Sequence, residues 1–495
     1  MYVILAFDVE DVYYPPEYRI DDIPGWLAEI MSEVGLRGTF CVFGEKAEIL
    51  MARGRHDVLK KMAEHDIASH QHGNRYPLVP QVVEGKGWRE GVEAARRYED
   101  WVKEQIRAAF GKDPAAFSRH NVYFAPQHVA VAGERGISYL YMISQLPGSH
   151  QPLWYAGTLT FPEMAGSELC ENYYGIADSV YSRDEVFEKQ LKDIDKFITG
   201  CLARGDEWIT LYACHPVKVM ARGWLEAHAL TTGKSRSPGE IGWHYDVKPR
   251  EEEERAKANF KRLCLYLKEH RDLNVVGIEE ATRLFSTQPA HIDRDAMVLY
   301  AAEMVASEKV VFHSTFSPAE MVCGLADSLI HYAGAGNLPE KVTRRNVLGP
   351  VSRPVIAQEK DIVTQEEVVS ICRQVVGEVE SSGHLSANAI AGDARVGVGQ
   401  IAFLAAKSYL ALARHDKYEK LAVPSIPRYP EIALEISTLI RKWIGESWAM
   451  PLDFSCEAMA EHARLQTWTM KPAWLRPPQG PVPRESYASR CYLKI

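Results

Sequence analysis

The sequence predicts an α/β fold: a mostly parallel sheet covered by helices, open or closed into a barrel, followed by a mainly helical repeat block. Three observations predict it. Over residues 1–287, short apolar strands alternate with amphipathic helices, as in a parallel sheet with crossover helices. The chain opens Met1-Tyr2-Val3-Ile4-Leu5-Ala6-Phe7-Asp8-Val9-Glu10-Asp11, an apolar run of the kind buried on both faces of a sheet, stopped by three acids. Beyond residue 288 a helix-start signature recurs, from Ser317 to Thr364, at an offset of 47 residues.

In chain order, strands are expected at Val3–Phe7, Thr39–Phe43, Tyr139–Ile143, Trp208–Tyr212 and Asn274–Val276. Helices are expected at Ile23–Val34, Asp57–Glu64, Val92–Phe110, Arg183–Arg204 and Arg250–His270, where apolar residues recur with helical period. The stretch Ser144–Ile176 breaks the alternation. It is long, aromatic and rich in Gly and Pro, and reads as an ordered loop at the rim of a site. Its Trp154, Tyr155, Tyr173 and Tyr174 suit either stacking on sugar rings or packing of the loop itself.

In the second block, Phe316-Ser317-Pro318-Ala319-Glu320 and Val363-Thr364-Gln365-Glu366-Glu367 each place a Ser or Thr cap three residues before a Glu. That is a capping box, in which two orphan amides at a helix start are satisfied reciprocally. Both helices end at glycine, Gly336 and Gly383. A third copy is expected from Pro430-Glu431 to Gly445. Small helical repeats stack their apolar faces, so residues 288–495 are expected to form one unit.

At 495 residues the chain exceeds what one core serves, and two domains are expected, 1–287 and 288–495. A net charge of -9 gives no basic field for a phosphate backbone, and Arg344-Arg345 reads as a solvated loop, so no nucleic-acid partner is expected. No run approaches the roughly 18 apolar residues of a membrane span, and the first residues lack the basic region of a secretory signal. A cytoplasmic protein without a membrane partner is the expectation. The nine cysteines are scattered and form no CxxC pair, which fits buried thiols rather than a disulfide or zinc framework. Cys214 beside His215 reads as packing.

Acids at the carboxyl end of a buried strand sit where α/β enzymes build their sites. Three further segments end apolar stretches with titratable side chains: Ser69-His70-Gln71-His72-Gly73-Asn74, Ser118-Arg119-His120-Asn121 and Leu211-Tyr212-Ala213-Cys214-His215-Pro216. Together with Gly35–Gly44 and Glu64–His70, these segments resemble, in order and spacing, the motifs of the polysaccharide deacetylases of the NodB-homology, or carbohydrate esterase 4, type. The resemblance covers roughly residues 1–285 and implies a distorted (β/α) barrel.

The same resemblance implies the roles. Asp8 is the expected general base, taking a proton from a metal-held water. Glu10 is the expected acidic ligand, with Asp11 as its rival; positions 8 and 10 of a strand face one side, which favours Glu10. His70 is the expected imidazole ligand. Arg119 is expected to pair with Asp8 and keep it ionised. His215 is the expected general acid for the departing amine. The implied activity is metal-assisted hydrolysis of a carbon–nitrogen amide bond, N-deacetylation of an N-acetylated sugar or related N-acyl compound, with one divalent cation, zinc, as cofactor.

Two positions depart from the pattern. The family's second metal-binding His falls at position 74, which is Asn74, a poorer zinc ligand. His72 substitutes only if the loop takes another path. Asn121 stands where the third motif has Pro. Three readings therefore stay open: a metal held by Glu10, His70 and Asn74; a metal-independent cyclic-amide hydrolase of the allantoinase type; or a degenerate domain that binds a glycan or serves as scaffold. His65, His120 and His128 carry no motif support and read as structural. The repeats faintly resemble pseudomurein-binding repeats, which implies a glycan or a second copy of the chain, a homo-oligomer, as partner of the second block.

Overall fold

A computed structural model of the chain describes residues 1–73, 77–146, 149–165, 168–223, 244–355, 361–416, 418–447 and 450–477. The first block is built on one curled, mostly parallel sheet of eleven strands, which bears out the α/β, distorted-barrel expectation. Its strands are β1 (Tyr2–Val9), β2 (Thr39–Val42), β3 (Asp66–Ser69), β4 (Ala116–Ser118), β5 (Ser138–Met142), β6 (Leu153–Tyr155), β7 (Thr158–Pro162), β10 (Tyr173–Gly175), β11 (Trp208–Cys214) and β12 (Asn274–Val276). The last is Lys471–Pro472. A separate short pair, β8 (Met164–Ala165) and β9 (Glu168–Leu169), lies between β7 and β10. The sheet runs β10-β11-β1-β2-β3-β4-β5-β7-β6, with β12 also on β1, and Lys471–Pro472 closes the edge beside β6.

Because side chains alternate across a strand, β1 serves two cores. Val3, Leu5, Phe7 and Val9 face the helices, where Phe7 stacks on Phe40 at 4.9 Å. Ile4 and Ala6 face inward, into a second core with Cys41, Ala68, Ala116, Leu140, Tyr141 and Tyr212. That inner core gathers side chains from six strands of one sheet, which is what curling requires. Continuing the inward series by twos along β1 gives Asp8 and then Glu10. The helix Asp22–Val34 covers the outer face, burying Ile23, Trp26, Leu27 and Met31.

The long connection is not a loop. Residues 153–175 contribute β6, β7 and β10 to the sheet, β7 parallel to β5 and β10 parallel to β11. Strands of three to five residues, interrupted by Gly and Pro, are too short to show a period. The same shortness hid β3 and β4.

The second block carries the two capping boxes as read. Ser317 Oγ accepts from the Glu320 amide at 3.2 Å while Glu320 Oε2 accepts from the Ser317 amide at 2.8 Å. Thr364 and Glu367 repeat the arrangement at 3.2 and 2.8 Å. The helices Pro318–Ala335 and Gln365–Ser382 then end on glycines with φ of 77° and 76°, the left-handed backbone that favours glycine. Ser317→Ala or Thr364→Ala is expected to cost about 1 kcal/mol each in urea unfolding. A loss near zero would mean that the cap is replaced by solvent.

The expected third copy is corrected. The helix Ile432–Leu439 starts on Glu431 in helical conformation without a side-chain cap, and runs on as a π-helical turn, Ile440–Gly445. With the helix Glu457–Gln466 it shares a core with Val79, Trp88, Phe124, Val129 and Tyr155 of the first block. The block also holds three antiparallel strand pairs, 291–293 with 341–343, 362–364 with 420–422, and 388–391 with 394–397. Lys471, on the strand that rejoins the sheet, meets Glu320 at 2.7 Å, and Arg344 meets the same carboxylate at 2.7 Å.

Candidate active site

The carboxyl ends of β1, β3, β4 and β11 converge on Glu10, and β5 reaches Asp8. Glu10 Oε1 lies 2.9 Å from His70 Nε2 and 3.7 Å from His120 Nε2, and Glu10 Oε2 lies 3.8 Å from His215 Nε2. Asp8 Oδ2 stands 3.7 Å from His70 Nε2. One ligand-capable atom each from Asp8, Glu10 and His215 falls within 4.8 Å of the others, and the same holds for Asp8, Cys41 and His70. The structure thus brings together Asp8, Glu10, His70 and His215, the residues that the motifs single out. Asn74 lies outside the described residues.

Local backbone explains the convergence. His70 lies two residues past the inward-facing Ala68, and His120 two past Ser118 and four past the inward-facing Ala116. Period two therefore delivers both imidazoles to the inner face. At β11 the register against β1 slips between Ala6 and Phe7, so that Phe7 faces Cys214 rather than Ala213. Such a bulge re-aims the next side chains along the strand, here that of His215. Three of the non-glycine residues with left-handed backbone sit at these strand ends: Gln71 (φ 69°), Asn121 (φ 47°) and Tyr141 (φ 64°). Each conformation costs on the order of 1–3 kcal/mol, and such strain concentrates at functional sites.

The rivals point elsewhere. Asp11 accepts from the Tyr13 and Tyr14 amides, both at 3.3 Å, and lies 3.5 Å from the buried Lys46. His72 stacks on Tyr98 at 3.7 Å and hydrogen-bonds its carbonyl, away from Glu10. His65 and His128 are structural as expected: His65 bonds the Ala28 carbonyl at 2.9 Å, and His128 pairs with buried Glu99 at 2.6 Å. His120 is a correction. It is buried, but it flanks Glu10 instead of filling a core.

The expected Arg119–Asp8 pair is also corrected. Arg119 donates to the Tyr141 carbonyl at 2.7 Å and forms its ion pair with Glu163. Asp8 instead accepts from the Tyr141 hydroxyl at 3.3 Å. Without an adjacent guanidinium, burial dominates, and the Asp8 carboxyl is pushed up to about 6, with His70 and His215 opposing and Glu10 adding to the rise. At Glu10 burial also works against ionisation, but the imidazoles of His120, His215 and His70 override it and hold the carboxyl at about 2.

His215 is anchored through Nδ1 and its backbone amide, and its Nε2 faces Glu10. Nδ1 meets Asp178 Oδ1 at 3.1 Å, and the same oxygen accepts from the His215 amide at 2.6 Å; Lys218 holds the other Asp178 oxygen at 2.9 Å. Burial opposes the imidazolium, yet Glu10, Asp178 and Asp8 outweigh it and raise His215 to about 9. Asp178 was not legible in the sequence, because it lies 37 residues before His215 in an irregular segment. His120 is driven the other way, to about 3, by burial. Of the rim aromatics, Tyr173 packs edge-on to Tyr141 at 6.1 Å, whereas Tyr155 is fully buried and Tyr174 packs on Phe197. A small cavity beside Arg119 is lined by Ile143, Leu439, Trp443 and Ile444, so the returning helix reaches Arg119.

Each of the two converging sets combines carboxylate with one imidazole, one of them adding a thiol, donors that a borderline divalent cation such as zinc accepts. Glu10 Oε2 and His120 Nδ1 are each buried without a hydrogen-bond partner among the described residues, polar atoms of the kind an occupant of the site would satisfy. Among the described residues no helix is long and apolar enough to cross a membrane, and the eight described cysteines are free and buried.

No family model matches the chain. No curated protein matches it either. Among solved structures it is similar to a protein of Mycobacterium smegmatis assigned as a polysaccharide deacetylase, at 12% identity, covering 57% of this chain and 88% of that one, with a TM-score of 0.35. It is similar to the Puue allantoinase at 13% identity, covering 57% and 89%, TM-score 0.34. It is also similar to a family 4 carbohydrate esterase from Streptomyces lividans, solved with acetate, at 18% identity, covering 30% and 65%, TM-score 0.21.

Proposed function

We propose that this protein hydrolyses a carbon–nitrogen amide bond, removing the acyl group from an N-acetylated sugar or related N-acyl compound. One observation carries the reading: a carboxyl held near 6, Asp8, and an imidazole held near 9, His215, converge on one buried carboxylate. Between those values Asp8 is an ionised base while His215 remains a charged acid, the pairing that amide hydrolysis needs.

In this reading Asp8 accepts a proton from the attacking water, whose oxygen adds to the acyl carbon. Asp178 accepts a hydrogen bond from the Nδ1–H of His215 and fixes the ring, so that Nε2 carries the proton to the departing nitrogen. The carbon–nitrogen bond breaks as that proton transfers, giving a carboxylic acid and a free amine. Glu10 stays ionised throughout. Arg119, tied to the Tyr141 carbonyl, holds the strained turn that presents the Tyr141 hydroxyl to Asp8. A divalent cation bound beside Glu10 and His70 would polarise the acyl carbonyl and lower the pKa of the water.

The direct His70–Glu10 contact at 2.9 Å favours a second reading, cyclic-amide hydrolysis without a metal, because the imidazole itself then occupies the carboxylate oxygen that a metal would take. Exhaustive chelation separates the two. Amine release from N-acetylated amino-sugar oligomers is expected to fall at least about tenfold after chelation and to return with zinc or cobalt. Activity that survives chelation intact, on a cyclic amide, selects the second reading. We further propose that residues 1–287 form the catalytic domain, completed by the returning segment that shares its core and sheet, and that the repeats within residues 288–495 bind a glycan or a second copy of the chain. Retention of the full chain on insoluble polysaccharide, set beside its oligomeric state, tests this.

A further inference from the structure

The geometry points to a soft-cation site formed by Asp8, Cys41 and His70, whose occupation takes the base of the hydrolase out of action. That inhibitory consequence rests on the proposed function, whereas the site itself is tested without substrate.

One donor atom from each of the three residues lies within 4.8 Å of the other two. Donors on a tetrahedral zinc ion, with bonds of about 2.3 Å to sulfur and 2.0–2.1 Å to nitrogen or oxygen, stand roughly 3.3–3.5 Å apart. A larger soft ion such as cadmium widens those spans, so small side-chain movements close the cluster on it. The sheet fixes the arrangement. Asp8 and Cys41 are register partners in the parallel ladder of β1 and β2, and Cys41 is in turn the partner of Ala68, two residues before His70. Cys41 belongs to the inner core, and Asp8 and His70 lie two positions beyond its Ala6 and Ala68, so all three side chains share one face.

The donor atoms are oriented for the role. Asp8 Oδ1 accepts from the Tyr141 hydroxyl at 3.3 Å, and Oδ2 stands 3.7 Å from His70 Nε2. Ser118 Oγ donates to the Ser69 carbonyl at 3.0 Å and lies 2.7 Å from His70 Nδ1, so it accepts from Nδ1–H and Nε2 is the nitrogen that faces the carboxylates. A hydrogen bond on the far nitrogen is the usual support of a metal-ligating His. The Cys41 thiol has the Tyr141 hydroxyl at 3.8 Å, a weak contact that a metal bond readily replaces. Cys41 and His70 are fully buried, and Asp8, 8% exposed, is the side of the cluster open to solvent.

Sulfur decides which ion enters. Carboxylate and imidazole accept many divalent ions, but a thiolate selects soft ones over magnesium or calcium. On binding, a sulfur–metal bond replaces the Cys41 sulfur–hydrogen bond, and the proton leaves to solvent. Asp8 Oδ2 is then committed to the ion and no longer takes a proton from water. His70 Nε2 also stands 2.9 Å from Glu10 Oε1, so it serves an ion beside Glu10 or one beside Asp8, and the two occupations exclude each other.

The test is cadmium(II) titrated into the chelated full-length chain, with uptake read by equilibrium dialysis and sulfur ligation by thiolate-to-cadmium absorption in the ultraviolet. Wild type is expected to bind cadmium with a thiolate band. Cys41→Ala, a change that the neighbouring Ala6, Ala68 and Ala116 make compatible with the inner core, is expected to lose the band and to bind at least about 100-fold more weakly, beyond the loss of an outer partner. Cys214→Ala, which removes a buried thiol from the outer core, keeps both. Matching thermal unfolding curves for the cation-free variants show that the fold is retained. Cadmium at about ten times its wild-type Kd is expected to lower amine release about tenfold, while Cys41→Ala keeps most of its own cadmium-free rate. No thiolate band in wild type, a band that survives in Cys41→Ala, or equal inhibition of the two proteins overturns the assignment. Amine release by a wild type that shows no thiolate band means that the site is wrong and the hydrolase reading stands. A band lost in Cys41→Ala, in a chain that releases no amine, is the reverse.

Discussion

Asp8→Asn is expected to slow amide hydrolysis by about a hundred- to ten-thousand-fold and, at the same time, to stabilise the fold. The rate loss follows from removing the carboxylate that, among the described residues of the site, is placed to take a proton: Glu10 is held ionised near 2 and is too weak a base, Asp11 is turned toward Lys46, and Asp178 is held by His215 and Lys218. The stability gain follows from burial. Asp8 is raised from 3.8 to about 6, so its folded value lies above its unfolded one. A group raised in this way adds stability only at low pH, and that contribution is lost as pH rises through about 6. Above that pH wild type bears the cost of an ionised buried carboxylate, at most about 3 kcal/mol, which Asn does not. Thermal unfolding of the cation-free proteins at pH 5 and pH 8 checks the sign: the variant should gain on wild type at the higher pH. A gap that does not depend on pH, or an active Asp8→Asn, contradicts the assignment of Asp8 as the base.

The second large effect belongs to His215. His215→Ala is expected to lower kcat by about a hundred- to ten-thousand-fold for substrates with poor leaving groups, and less for activated amides or esters that leave without a proton. The pH dependence of kcat/KM gives the same assignment without a lost protein. The rate should rise as Asp8 deprotonates, toward pH 6, and fall as His215 loses its proton, near pH 9. A cation beside Glu10 moves both limbs toward lower pH, since it disfavours protons nearby. Asp178→Asn removes one of the carboxylates that raise His215, so its alkaline limb should move to lower pH while the acid limb stays. An unmoved alkaline limb means that the group titrating there is not His215.

The fold and much of the site were legible where the sequence carries long, simple patterns. β1 is apolar on both faces and ends in acids, and both its burial and the shared inward direction of Asp8 and Glu10 follow from period two. Long helices with Gly at their ends were readable within a few residues, as in Gln365–Ser382. Short strands were not: β4 holds only Ala116–Ser118, too few residues to show alternation. Had it been recognised, period two would have placed His120 on the inner face with Ser118, beside Glu10. Arg119 was misassigned for a different reason. Its partner Glu163 follows a strand hidden in the segment read as a loop, so nothing in the sequence set that carboxylate against Asp8. Asp178 was out of reach, because it meets His215 only through the folding of an irregular stretch.

The most direct test of the central reading is the appearance of free amine, followed by mass spectrometry, when N-acetylated amino-sugar oligomers are incubated with wild type and with Asp8→Asn at pH 7.5. Product from wild type, and a loss of a hundredfold or more in the variant, is the result this site predicts. Equal product from both proteins, or none from wild type with linear and cyclic amides alike, would contradict it.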